Sequence, residues 1–112
     1  MTIEDVLGAE LATGRAVPTA EAGEPYESWY VISDDGRVEL GIWEVTPGSF
    51  CGSCDGYYEQ MHFVAGSGTI TDSEGAVTAI HPGVVMLCPD GWSGVWTVDE
   101  TVRKTYAVVK TG

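Results

Sequence analysis

The feature that most constrains the fold is the succession of turns and apolar segments over residues 81–96, HPGVVMLCPDGWSGVW. Pro82-Gly83 and Pro89-Asp90-Gly91 are turn signals, and the apolar run Val84 to Cys88 lies between them. Five apolar residues are too few for a helix, and a run this apolar is atypical of an exposed edge strand. We therefore predict a buried strand here, in the wall of a β-barrel or sandwich.

Strand and turn signals recur along the rest of the chain. Ser28 to Ser33 and Val38 to Val45 flank Asp34-Asp35-Gly36, which is typical of a hairpin turn. Further strands are predicted over Tyr57 to Ala65 (ending at Gly66-Ser67-Gly68), Thr69 to Thr71, Ala76 to Ile80 and Arg103 to Lys110. Short strands spaced by about 8 to 12 residues predict an all-β, antiparallel sandwich or barrel.

We predict a short N-terminal arm, residues 1–27, followed by a single barrel domain, residues 28–112. Its length suffices for one hydrophobic core. Within residues 1–14, Thr2 is a candidate N-cap for a short helical turn. Residues 18–25 contain two prolines and indicate an extended surface segment.

The charge, the apolar runs and the cysteine count of the chain exclude several kinds of partner and cross-link. Five Lys and Arg against 17 Asp and Glu give a formal net charge of −12, which disfavours binding to nucleic acid. No apolar run is long enough to span a membrane, and the acidic N-terminus lacks the features of a signal peptide. We therefore expect a cytoplasmic protein with no membrane partner. Its three cysteines, an odd number, do not indicate a disulfide framework.

Gly83, Pro89 and Gly91 have a spacing that resembles the second motif of the cupin superfamily. The segment from Gly36 to Lys110 is similar to small single-domain cupins of the ureidoglycine aminohydrolase-like group. The other segments that carry this resemblance are GIWEVTPGSF at 41–50, the Tyr-rich approach to Glu59, and VRKTYAVV at 102–109. The resemblance implies a double-stranded β-helix, or jelly-roll barrel, with a pocket inside and assembly as a homodimer.

The resemblance also implies a metal site, but most of its ligands are missing. Glu59 matches the glutamate of the first motif, whereas none of residues 52–55, where its histidines are expected, is a histidine. Gly94 stands where the second motif carries its histidine. A divalent metal site needs three or four well-placed ligands, so we expect no metal cofactor. The alternative is an irregular site formed by Cys54, Asp55 and Glu59.

Glu59 and Lys104 are the candidate catalytic residues. Strand alternation places Glu59 on the same face as Met61 and Phe63, which predicts that its carboxylate points into the barrel. On the last strand, Lys104 shares the more apolar face, so it is the candidate partner for the inward carboxylate. The alternative is a solvated Glu59 at the barrel mouth, or an ion pair with a structural role only. The aromatic and apolar residues predicted to line the pocket are Tyr57, Met61, Phe63, Trp92 and Trp96.

The cysteines and histidines carry weaker signals. Cys51 and Cys54 form one C-x-x-C, which could bind zinc with two ligands from Cys88, His62 and His81, or act as a redox pair. The ordinary interpretation is that they are small residues at the pocket rim. His62 is out of phase with Glu59 and is expected at the surface or a dimer interface, and His81 is expected in an exposed turn.

These observations lead to one function and two alternatives. The first is a small-molecule-binding cupin with an empty metal site, in which Glu59 and Lys104 hold a polar metabolite or act on it as an acid–base pair. The second is a metal-dependent cupin enzyme, amidohydrolase-like or isomerase-like, with irregular ligands. The third is a structural or regulatory dimeric barrel filled by its own side chains.

Overall fold

The computed structural model describes residues 1–112 and consists of β-strands that follow one short helix. In chain order the elements are α1 (Ile3–Gly8), β1 (Thr13–Ala16), β2 (Ala20–Ala22), β3 (Tyr26–Asp34), β4 (Val38–Val45), β5 (Gly48–Ser53), β6 (Tyr57–Asp72), β7 (Val77–Ile80), β8 (Val85–Cys88) and β9 (Ser93–Lys110). No helix in the structure has the length and hydropathy required to cross a membrane.

The two longest strands, β6 and β9, organise the sheet. They pair antiparallel along their whole length, from Tyr57 opposite Lys110 to Asp72 opposite Gly94. On its other edge, β9 pairs with β4 through its C-terminal half and with β5 through its N-terminal half. The other edge of β6 pairs with β8 and then β7. All pairings are antiparallel, and the sheet curls into the all-β jelly-roll barrel that the sequence predicted.

The N-terminal segment is built into this sheet. Thr2 is the N-cap of α1, as predicted, and the structure adds a reciprocal capping box between Thr2 and Asp5. Val6 of α1 packs on the outside of the barrel against Ile42 and Val64. Strand β1 pairs with β3, and β2 pairs with β5, so residues 13–22 add two strands to the sheet. The expected boundary between residues 27 and 28 falls inside β3.

The hairpin turn at Asp34-Asp35-Gly36 is confirmed, and it joins β3 to β4. The expected end of a strand at Gly66-Ser67-Gly68 is wrong, because β6 continues through these residues to Asp72. The register shifts here between β6 and β9, and Gly66 has a φ of 95°. A Cβ at Gly66 would collide with the backbone of Thr101 and Val102. The glycines therefore bend a continuous strand where the sequence pattern indicated a break.

The predicted strand at Val84 to Cys88 exists as β8, but it is not buried as predicted. Strand β8 pairs with β6 alone and is an edge strand. Cys88 is fully buried, whereas Val85 and Leu87 are 57% and 62% exposed. A strand alternates its side chains between two faces, so half of a continuous apolar run points outward wherever only one face is covered.

The barrel interior contains the main core. Its centre is formed by large side chains from β4, β6 and β9 that face one another across the curled sheet. These are Val45, Met61, Phe63, Ile70, Trp96, Val98 and Val102. The core closes one end of the barrel and leaves a cavity towards the end where β5, β8 and the β1–β2 segment meet.

Candidate functional site

The cavity inside the barrel has a volume of about 320 Å³. Apolar side chains provide most of its wall, including those of Val17, Trp43, Phe50, Met61, Trp92 and Trp96. A volume at the lower end of the range for small-molecule sites, with a few polar groups in an apolar wall, is typical of a ligand pocket. The core side chains thus leave an open pocket at this end of the barrel.

Lys104 and Glu59 meet in this cavity. Lys104 Nζ lies 2.6 Å from Glu59 Oε2, and it also lies 3.1 Å from Met61 Sδ. Lys104 is only 6% exposed although it carries a charge. A buried ammonium requires a close counter-ion, which Glu59 supplies. The inward orientation that alternation predicted for both residues is thus the one that the structure shows.

Aromatic rings surround the Lys104 ammonium on its other sides. Its Nζ lies 4.5 Å from the centroid of Trp43 and 5.2 Å from that of Trp96. The two indoles pack edge to face, with centroids 5.5 Å apart. Cation–π attraction to both rings adds to the ion pair and holds the ammonium in place.

Trp43 also connects this ion pair to a second one nearer the surface. Its Nε1 donates a hydrogen bond of 2.9 Å to Glu27 Oε1, and Arg15 Nε donates to Glu27 Oε2 at 2.9 Å. The Arg15 side chain is 60% exposed, whereas that of Glu27 is 13% exposed. The cavity therefore has one ion pair at its base and one at its mouth, and these four side chains carry no net charge.

The N-terminal segment closes one side of the mouth. Thr19 Oγ1 donates a hydrogen bond to the carbonyl of Cys51 at 2.7 Å, and the amide of Cys51 donates back to the Thr19 carbonyl at 3.3 Å. Cys51 Sγ lies 2.9 Å from Glu21 Oε1. These bonds fix residues 15–19 along the pocket rim, where Arg15, Val17, Pro18 and Thr19 form part of its wall.

All three cysteines line the cavity, and all are free thiols. Cys54 and Cys88 are both buried. Burial raises the pKa of Cys88 to about 12, and the neighbouring Cys54 and Glu59 add to this effect. Burial likewise raises the pKa of Cys54. Thiols held in the protonated form are weak nucleophiles, so the structure does not support a reactive redox pair at Cys51 and Cys54.

The predicted pocket residues fall into two groups. Met61, Trp92 and Trp96 line the cavity. Phe63 lies deeper, fully buried, with its ring edge-on to Trp96 at 5.9 Å between centroids. Tyr57 packs against the core, and its hydroxyl donates to the carbonyl of Ser53 at 2.9 Å. Phe63 and Tyr57 therefore support the pocket wall from behind.

The residues present do not fit a divalent metal site. No group of three or more His, Cys, Asp or Glu side chains is arranged to hold an ion. Asp55 is exposed in the turn before β6, and the Glu59 carboxylate is bound to Lys104. The structure thus does not bring Cys54, Asp55 and Glu59 together as ligands. His62 lies at the outer face of the sheet, and His81 lies in an exposed turn, as expected.

Several residues of the site were not singled out by the sequence. Trp43 received no functional prediction, and the residues of the N-terminal segment were assigned to a surface arm. Tyr106 lines the cavity beside Lys104 and donates a 2.6 Å hydrogen bond to Glu39. The alternation that placed Lys104 inside also applies to Tyr106, so that signal was available. Arg15 carries no comparable local signal, because only the pairing of β1 with β3 brings it to the pocket.

An antiparallel jelly-roll barrel with an internal pocket is the architecture of the cupins, and comparison with known proteins agrees. The model of the EutQ-like cupin domain matches residues 32–106. The chain therefore belongs to the EutQ-like cupin family. No curated protein matches the sequence significantly.

Solved structures show the same fold. EutQ from Clostridium difficile is 17% identical, with a TM-score of 0.67 over 77% of this chain and 69% of that one. A DUF861-family protein from Thermotoga maritima is 31% identical, with a TM-score of 0.55 over 58% of this chain and 73% of that one. Ectoine synthase from P. lautus is 13% identical, with a TM-score of 0.68 over 98% of this chain and 76% of that one.

Proposed function

We propose that this cupin binds a small polar metabolite in the barrel cavity, between the Lys104–Glu59 pair and the indole rings. The observation that carries the proposal is the buried ion pair, 2.6 Å long, facing a cavity of about 320 Å³. A buried pair is weak evidence for stability, since apolar residues of similar volume often stabilise a core as well or better. A role in binding accounts for charges kept at this position.

The groups at the cavity define the ligand. Glu59 accepts hydrogen bonds, Lys104 donates them, and Trp92 and Trp96 provide flat apolar walls. A neutral or zwitterionic molecule with both donors and acceptors fits, because the four charged side chains at the cavity sum to zero. The resemblance to ureidoglycine aminohydrolase-like cupins adds ureides, amides and amino acids to the compounds of interest. Lys104 and Glu59 are also placed to act as general acid and base on such a ligand.

A thermal-shift screen with ureides, carboxamides, small amino acids and monosaccharides tests the proposal. We expect one of these classes to raise the melting temperature in a saturable manner. Trp92→Ala and Lys104→Met should abolish the shift, and Gln60→Ala, which alters the opposite face of β6, should preserve it. Circular dichroism of each variant verifies the fold. A shift that survives in Trp92→Ala and Lys104→Met would place the ligand elsewhere and overturn the proposal.

We further propose that the chain associates with a second copy of itself through the outer face of β3, β4, β9, β6 and β8. The exposed apolar side chains on this face are Tyr30, Ile32, Leu40, Tyr58, Val85 and Leu87. Ile32 and Leu40 are among the eight residues that line a shallow depression on this face, and none of the eight is Asp, Glu, Lys or Arg. In a chain of net charge −12, an uncharged apolar face is where two copies meet with least repulsion.

Sedimentation equilibrium tests this association. The wild type should have twice the monomer mass of 11.9 kDa. Leu87→Asp should shift the population to monomer, whereas Val77→Asp, an equally exposed position on β7, should leave the dimer intact. A wild type that stays monomeric at high micromolar concentration would refute the proposal.

A further inference from the structure

We propose that Arg15 forms a carboxylate subsite at the mouth of the cavity. The ligand is then a small amino acid, which places its carboxylate at Arg15 and its ammonium at Glu59. This inference rests on the proposed function and narrows it to one class of ligand. Arg15 belongs to β1, and its side chain lines the cavity while it remains 60% exposed.

The Arg15 guanidinium is held from one side only. Its Nε donates to Glu27 Oε2 at 2.9 Å, and this is the only hydrogen bond that the guanidinium makes. The N–H groups of Nη1 and Nη2 therefore have no partner within the chain. The edge that they form matches the paired oxygens of a carboxylate, which arginine binds in a bidentate manner.

Glu27 positions Arg15 without filling this edge. Its Oε1 accepts a hydrogen bond from Trp43 Nε1 at 2.9 Å, while its Oε2 accepts from Arg15 Nε, so both oxygens are engaged. The guanidinium carbon of Arg15 also lies 5.7 Å from the centroid of the Trp29 ring, within cation–π range. These contacts orient the guanidinium before a ligand arrives, which reduces the entropy cost of binding.

At the base of the cavity, one oxygen of Glu59 remains free. Lys104 Nζ binds Glu59 Oε2, whereas Oε1 accepts no hydrogen bond within the chain. The Glu59 side chain is 15% exposed and lines the cavity, so a ligand N–H donor can reach it. Trp43 contacts both ends, because its ring centroid lies 4.5 Å from Lys104 Nζ and its Nε1 binds Glu27. A small molecule lying along one indole can therefore reach both subsites.

The charges at the cavity favour a zwitterion in this orientation. The cationic side chains that line the cavity are Arg15 and Lys104, and Lys104 is already bound by Glu59. Arg15 is thus the cation with donors left for an anionic group. The net charge of −12 repels free carboxylates from most of the surface, so a guanidinium at the mouth is needed to admit one.

The test is isothermal titration calorimetry of the full chain with glycine, β-alanine and γ-aminobutyrate, each compared with its carboxamide. We expect at least one acid to bind about 10- to 100-fold more tightly than its amide, the range for a hydrogen bond to a charged group. Arg15→Met should remove this preference. Arg37→Met, which alters an exposed arginine between β3 and β4, is the matched control and should keep it.

Arg15→Lys separates charge from geometry. It keeps the charge without the paired Nη edge and should recover only part of the preference, whereas full recovery would refute the bidentate contact. The ion pair of Arg15 is exposed, so its loss costs little stability, and circular dichroism verifies the fold of each variant.

The outcomes separate this inference from the proposed function. Equal affinity for every acid and its amide would overturn the carboxylate subsite and leave the proposed function standing, as would binding of neutral compounds alone in the thermal-shift screen. Loss of the preference in Arg37→Met would reveal a long-range effect of charge and would also overturn the subsite. Binding of none of these compounds, charged or neutral, would overturn both proposals.

Discussion

The two ion pairs at the cavity provide a comparison of a buried and an exposed interaction in one molecule. The Lys104–Glu59 pair is 2.6 Å long with side chains 7% and 15% exposed, whereas in the 2.9 Å Arg15–Glu27 pair Arg15 is 60% exposed. Lys104→Met keeps most of the side-chain volume, removes the ammonium and leaves Glu59 without its cation. Removing one partner of a buried pair costs about 3–5 kcal/mol, whereas an exposed pair contributes about 0.2–1 kcal/mol.

We therefore expect Lys104→Met to lower the free energy of unfolding by about 3–5 kcal/mol in urea titrations at neutral pH. At about 4 °C per kcal/mol for a domain of this size, the melting temperature falls by on the order of 15 °C. Arg15→Met, the matched control, should lose less than about 1 kcal/mol. The double variant Lys104→Met/Glu59→Leu should recover most of the loss, because neither charge then remains buried alone.

The result that would refute this reasoning is equal, small losses in Lys104→Met and Arg15→Met. Equal losses would mean that water reaches Glu59 in the folded protein and that the cavity does not desolvate the pair. Failure of the double variant to recover stability would mean that Lys104 acts through its packing against Trp43 and Trp96, not through its charge. The coupling energy from the full cycle separates these contributions.

Three further perturbations follow from other parts of the structure. Arg103→Ala removes hydrogen bonds from the Arg103 guanidinium to the carbonyls of Val6, Leu7 and Ala9; amide exchange in residues 3–9 should accelerate while exchange in β6 and β9 does not, and uniform acceleration would contradict local anchoring. In Gly41→Ala, the new Cβ would collide with the Tyr106 ring, which lies against Gly41. We therefore expect thermal unfolding to give a free energy of unfolding that is lower by about 1–3 kcal/mol. An unchanged free energy of unfolding would contradict this packing. Raising the pH from 9 to 11 should lower the free energy of unfolding by up to about 1.4 kcal/mol per pH unit through Cys88, because its pKa is raised from 9.0 to about 12 and the folded state keeps a proton that the unfolded chain loses. In urea titrations, the free energy of unfolding of Cys88→Ala should fall less steeply with pH than that of the wild type. Equal slopes would contradict the assignment.

Local patterns were sufficient for several of the strands and for the inward orientation of Glu59 and Lys104. The bounds of β4 and the hairpin at Asp34-Asp35-Gly36 agree with the structure, because turn chemistry and period-two alternation are properties of neighbouring residues. The same alternation placed Glu59 and Lys104 inside the barrel, and pairing of Phe63 with Lys104 in the register brings these strands together.

What could not be predicted depends on pairings between distant segments. Whether β8 is covered on both faces is decided by the strands that reach it, and only β6 does. The role of Arg15 depends on the pairing of β1 with β3. The buried thiols of Cys54 and Cys88 line the same cavity but belong to segments more than 30 residues apart. Neither hydrophobic periodicity nor a local motif indicates which distant segments meet in the fold. For this reason much of the pocket wall was not predicted.

The position of β9 has a consequence for how the chain reaches its structure. Strand β9 follows every other element in the sequence, and it lies between β4 and β5 on one edge and β6 on the other. During synthesis, β3 and β4 can form a hairpin early, but the barrel cannot close until residues 93–110 have left the ribosome. Folding dominated by such distant pairings is slow, of the order of milliseconds to seconds. Until then the apolar strands, with few lysines and arginines among them, remain exposed, and the net charge of −12 opposes aggregation of the nascent chains.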